Sequence, residues 1–143
     1  MKTFVWFVCV LVILAKANAL DKATTKVKNV HEACQADPGT HADEYLIERA
    51  RMEQVDPKKV GLHTLCMNVH AGLQKENGDI DKDDLRRALS EGIHDSAKVE
   101  AIVADCGVRV GDTPEEASVN LFRCIFGHEN AYVHEWKPPM IHS

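Results

Sequence analysis

Cys34, Cys66, Cys106 and Cys124 are the residues whose type and spacing carry the clearest chemistry in this 143-residue chain. In an exported protein an even set of cysteines forms a disulfide framework; inside a cell the same set would suit metal binding or redox work. The N-terminus argues for export. Lys2 opens it, Phe4 to Leu14 form an apolar run, and Ala17-Asn18-Ala19 supplies the small-x-small pattern of a signal-peptidase site. The expectation is a signal peptide over 1–19 and a mature secreted chain over 20–143. The run is too short to span a bilayer as a helix. Cys9 lies within it, so cleavage turns an odd count of five cysteines into four. Four cysteines allow three pairings, and the count alone does not choose among them.

Other chemistries find less support. Asn77, Asp79, Asp81 and Asp83 alternate like the start of a calcium loop. Such a loop needs glycine sixth and glutamate twelfth, where this chain has Lys82 and Ala88; a turn followed by a helix cap fits better. The eight histidines, His31, His41, His63, His70, His94, His128, His134 and His142, show no metal-ligand motif. Most are expected to be solvated, with a subset able to respond to mild acid. Ser90, Ser96 and Ser118 lie in helical segments without a nucleophile elbow. Glu115-Glu116 and Asp83-Asp84 stand at helix starts, where the macrodipole favours carboxylates. No catalytic set, metal or cofactor is expected, and the chain reads as a non-enzyme. Removing Lys2 and Lys16 leaves 15 basic against 22 acidic residues, a net charge of −7 with neutral histidines. That balance excludes a nucleic-acid footprint and disfavours anionic membranes. No later segment suits stable membrane insertion.

The elements that must position the cysteines are helices. Ala23, Val27, Val30 and Cys34 form a stripe at helical spacing, closed by Asp37-Pro38-Gly39. Thr40 can cap a second helix carrying Tyr45, Leu46 and Ala50. Asp56 and Pro57 start a third, with Val55 and Val60 as a hydrophobic staple. Its stripe is Leu62, Leu65, Cys66, Val69 and Leu73. After the Asn77-Gly78 turn, Asp81 begins a fourth helix presenting Leu85, Ala88 and Leu89 and stopping near Gly92. Asp95 and Ser96 open the fifth, with Val99, Ile102, Val103, Cys106 and Val110. Thr113, Pro114 and Glu116 make a capping-box start for the sixth, whose inner face is Ala117, Leu121, Cys124 and Ile125. The fold class is all-α, a single domain of six helices, and each mature cysteine lies on an apolar stripe. Cys34 with Cys66 would tie the first helix to the third, and Cys106 with Cys124 the fifth to the sixth.

The pattern resembles the insect odorant-binding proteins of the pheromone-binding and general odorant-binding type. Six cysteines on six helices pair first to third, second to fifth and fourth to sixth in that family. Cys34, Cys66, Cys106 and Cys124 stand at the first, third, fourth and sixth positions. Leu62 and Glu115 occupy the second and fifth. Both partners of one bridge are absent together, as in the four-cysteine branch. Asn77-Gly78-Asp79-Ile80 before the fourth helix, and Ala117 and Arg123-Cys124 in the sixth, extend the likeness.

The resemblance implies the pairings Cys34–Cys66 and Cys106–Cys124, and an apolar cavity between the helices. Leu62, Leu65, Val69, Leu73, Leu85, Leu89, Val99, Val103, Leu121, Phe122 and Ile125 would line it. The tail 131–143 would fold back over or into it with Tyr132 and Trp136, beside His128 and His134. The implied function is a secreted carrier of small hydrophobic ligands such as odorants or pheromones. A membrane chemoreceptor or a second copy of the chain is an implied partner. The rival reading is a secreted interaction or defence protein with a solid core and no small ligand.

Overall fold

The computed structural model describes residue 26, residues 28–51 and residues 53–130. The expected signal peptide, Ala23, Val27 and the 131–143 tail with Tyr132, His134 and Trp136 lie outside the described residues. Six helices follow in order: α1 over 28–36, α2 Glu44–Ala50, α3 Pro57–His70, α4 Lys82–Gly92, α5 Ser96–Cys106 and α6 Pro114–Asn130. Among the described residues there is no strand, and no helix is long and apolar enough to cross a membrane.

Local chemistry sets most boundaries. Aspartate side chains cap four helices: Asp43 accepts from Leu46 N–H, Asp56 from Lys58, Asp81 from Asp83 and Asp84, and Asp95 from Ala97 and Lys98. Thr113 Oγ1 accepts from Glu116 N–H at 3.1 Å, while the Glu116 carboxylate reaches back to Asp112 N–H at 3.1 Å. The second helix departs from expectation. Asp43, not Thr40, caps it, because the Thr40 hydroxyl instead donates to the Cys34 carbonyl at the end of α1, 2.7 Å away. Val110 was assigned to the α5 stripe, but α5 ends at Cys106 and Val110 lies 60 % exposed beyond it. Asp79, the second member of the would-be calcium loop, is held by Arg109 at 2.9 Å, and Gly78 turns the chain there with φ of +92°.

Both disulfides join the pairs that the resemblance implied. Cys34–Cys66 ties α1 to α3 with Cα atoms 6.0 Å apart, and Cys106–Cys124 ties α5 to α6 at 5.6 Å. One apolar cluster fills the space between α4, α5 and α6: Leu85, Leu89, Ile93, Val99, Ile102, Val103, Cys106, Leu121 and Ile125. A smaller cluster of Ala50, Val60 and Val119 joins α2, α3 and α6, with Leu46, Ile47 and Val55 against it.

The most extensive helix pair is α3 with α6, and beside the Val60–Val119 packing its contact is made by small and polar residues. The buried face of α3 is Val60, Gly61, His63, Thr64 and Asn68. The Ser118 hydroxyl donates to Gly61 O, and Asn68 donates to Ser118 O, both at 3.1 Å. A Cβ placed on Gly61 would lie 2.5 Å from Glu115 Cβ. Leu62, the residue expected inside and opposite Glu115, is therefore turned outward and is 50 % exposed. Glu115 lies against the Gly61 backbone instead, where there is no room for a side chain. Gly61→Ala should accordingly lower the urea midpoint. Overpacking of about 1 to 3 kcal/mol outweighs the roughly 1 kcal/mol helical advantage of alanine. A raised midpoint would mean that the α3–α6 approach is looser than this geometry.

Candidate functional site

The residues expected around a cavity separate into three groups. Leu85, Leu89, Val99, Val103, Leu121 and Ile125 are buried against one another in the α4–α5–α6 cluster. Leu73 packs at the edge of that cluster and is partly buried. Leu65, Val69 and Phe122 are also partly buried, and they lie on α3 and α6. Leu62 is on the outer surface. Half-buried apolar side chains thus include Leu65 and Val69 on α3 and Phe122 on α6, beside Leu46 and Ile47 on α2.

Phe122 and Phe126 extend this apolar strip along α6. One helical turn apart, they stack with ring centroids 6.2 Å apart and planes 22° from parallel. The guanidinium of Arg51, at the end of α2, lies over Phe126 with its carbon 5.8 Å from the ring centroid. Its side chain is 13 % exposed. Neither Phe126 nor Arg51 carried a signal in the sequence: their approach is tertiary, and Arg51 reads locally as an ordinary surface cation.

A second cluster lies where α1, α2 and α3 meet. His63 is 2 % exposed, a departure from the expected solvated histidines. Its Nδ1–H donates to Thr40 O at 3.1 Å, and its ring meets His31 edge-on at a centroid distance of 5.0 Å. Nε2 is buried without a partner among the described residues, which suits the lone pair of a neutral ring. His31 in turn pairs with Glu44 at 3.0 Å. Burial opposes ionisation of Glu44, but hydrogen bonds from Gln35 and His31 outweigh it and hold the carboxyl below its ordinary value.

Burial, reinforced by the charge of His31, pushes the His63 imidazole below its ordinary value, against the weaker pull of Thr40 O and Glu44. The unfolded chain then binds more protons than the folded one once pH drops below about 6.5. Stability therefore falls with acid from that point and levels off below the folded value. His63→Gln keeps a donor for Thr40 O and should flatten the change in melting temperature between pH 7.5 and 5.0. Parallel profiles for variant and wild type would exonerate His63.

The Nε2 of His128 sits 2.6 Å from the Asp105 carboxylate. Asp105, Cys106, Cys124 and His128 are close enough to surround an ion, as are Cys34, Cys66 and His70. Both sulfur pairs are spent in disulfides, so neither group offers the thiolates that such a site needs. A separate cleft of about 270 Å³ between α3 and α4 is rimmed by Lys26, Lys75, Arg87, Asp81, Asp84 and Glu91. Its mixed charges and the 2.7 Å Lys26–Glu91 pair suit water better than an apolar ligand.

A model of the PBP/GOBP family matches residues 16–128. The chain is similar to the B2 protein of Tenebrio molitor, at 26 % identity over 117 residues, covering 80 % of this chain and 89 % of that one. It is equally similar to the B1 protein of Tenebrio molitor, at 26 % over 117 residues, covering 80 % and 88 %.

Proposed function

The chain belongs to the PBP/GOBP family, the insect odorant-binding proteins, and from that premise we propose that it is a secreted carrier of small hydrophobic molecules. No bond is made or broken. Transport consists of desolvating a ligand against apolar side chains and releasing it elsewhere. The observation that carries this reading is that Leu65 and Val69 on α3 and the stacked Phe122 and Phe126 on α6 are only half-buried. An ordinary core would cover such residues, as the α4–α5–α6 cluster covers Leu85 and Val99. Two disulfides hold the frame around the strip, so little ordering entropy remains to be lost when a ligand enters.

Export is supported by the Ala17-Asn18-Ala19 pattern and by crosslinks of a kind that persist outside the cell. Odorants, pheromones and related lipophiles are the ligand class, with a chemoreceptor or a second copy as further partners.

The experiment is displacement of the fluorescent probe N-phenyl-1-naphthylamine from oxidised mature protein. Saturable one-to-one binding and competition by volatile lipophiles are expected; absence of saturable binding would refute the carrier reading. That second outcome would favour an interaction or defence protein, for which the exposed side chains of Tyr45, Leu62, Val108 and Val110 would supply contact surface.

A further inference from the structure

We propose that Arg51 is the polar anchor of the ligand site and that the favoured ligand is an amphiphile with an ionised carboxylate. The inference rests on the carrier reading and specifies its ligand class. A guanidinium offers five N–H donors in a planar fork that matches a carboxylate. Among the described residues Arg51 spends few of them. Nε is buried and has no partner among the described residues. Its recorded ion pair runs from Nη1 to Glu48 at 3.5 Å, longer than the roughly 2.7–2.9 Å of a charge-assisted hydrogen bond.

Glu48 is itself 57 % exposed, so water screens that pair and its loss costs little. The cation is nevertheless held in place. Arg51 ends α2, its backbone N–H donates to Glu48 O, and its guanidinium lies over the Phe126 ring. A guanidinium whose Nε has no partner among the described residues thus sits at one end of the Phe126–Phe122 stack. The same arrangement would hold the head of a fatty acid on Arg51 while its chain runs along the two rings. An alcohol or ester would gain the apolar contact without the charge-assisted bonds.

The test measures displacement of N-phenyl-1-naphthylamine by a carboxylic acid, the alcohol of equal chain length and the methyl ester, all at pH 7.5. Wild type should prefer the acid by roughly tenfold to a hundredfold, the range of hydrogen bonds to a charged group. Arg51→Met should abolish the preference while leaving alcohol affinity within about threefold. Glu48→Gln, which removes a competing carboxylate from an exposed position, should raise acid affinity and leave the alcohol unchanged. It also carries the test if Arg51→Met fails to fold. Equal affinity for acid and alcohol in wild type, or a preference that survives Arg51→Met, would overturn the assignment. So would Glu48→Gln binding the acid no better than wild type. Those outcomes leave the carrier reading standing as long as the probe binds; failure of the probe itself removes both.

Discussion

Replacing Cys34 and Cys66 together by serine should lower the unfolding free energy by about 3 to 4 kcal/mol. The bridge closes a loop with a sequence separation of 32, and constraint of the unfolded chain grows with the logarithm of that length. The Cys106–Cys124 bridge spans 18 residues and should contribute about 3 kcal/mol on the same basis. Domains of this size hold only about 5 to 15 kcal/mol in total, so either loss is a large share. The first should exceed the second for another reason. Cys34 is fully buried, and besides this crosslink α1 meets α2 and α3 through the polar contacts of His31 and Gln35, whereas α5 and α6 also share the apolar cluster. Urea unfolding of the two double variants gives the comparison. Equal midpoints for wild type and the Cys34/Cys66 variant would show that α1 is held by something other than the covalent bond.

The sequence revealed helix starts more faithfully than buried faces. Asp56-Pro57, Asp81, Asp95 and Thr113 each act within three residues of their own position, so local spacing was enough to find them. Thr40 misled because two acceptor-rich residues precede α2, and tertiary demand at the end of α1 took the threonine. On α3 the apolar period pointed to Leu62, Leu65, Val69 and Leu73. The face that packs on α6 is Gly61, Thr64 and Asn68, whose fit comes from small size and paired hydrogen bonds. Hydrophobic periodicity has no signal for such a face. The displaced leucine stripe is what leaves apolar side chains incompletely covered, so the misread helix and the candidate site share one cause. Arg51 over Phe126 joins residues 75 apart in sequence, beyond any local pattern.

The last expectation separates the packed core from the ligand site by opposite responses. Leu85 is fully buried among α4, α5 and α6, with no cavity-facing exposure. Leu85→Ala should therefore cost about 3 to 5 kcal/mol, because the surrounding side chains relax only partly around the lost volume. Its affinity for N-phenyl-1-naphthylamine, measured on the fraction that remains folded, should stay within about threefold of wild type. Phe122 is partly exposed and belongs to the α6 strip. Phe122→Ala removes less protein–protein contact and should cost only about 1 to 2 kcal/mol. It takes away one ring of the stack along which the ligand would lie, so probe affinity should fall by about tenfold or more. Urea unfolding and probe titration on the same two preparations supply all four values. If Leu85→Ala weakens the probe while Phe122→Ala does not, the ligand lies among α4, α5 and α6, where Leu85, Leu89, Val99, Val103, Leu121 and Ile125 were first expected to receive it. The α3–α6 strip would then be surface, and the carboxylate site at Arg51 would fall with it.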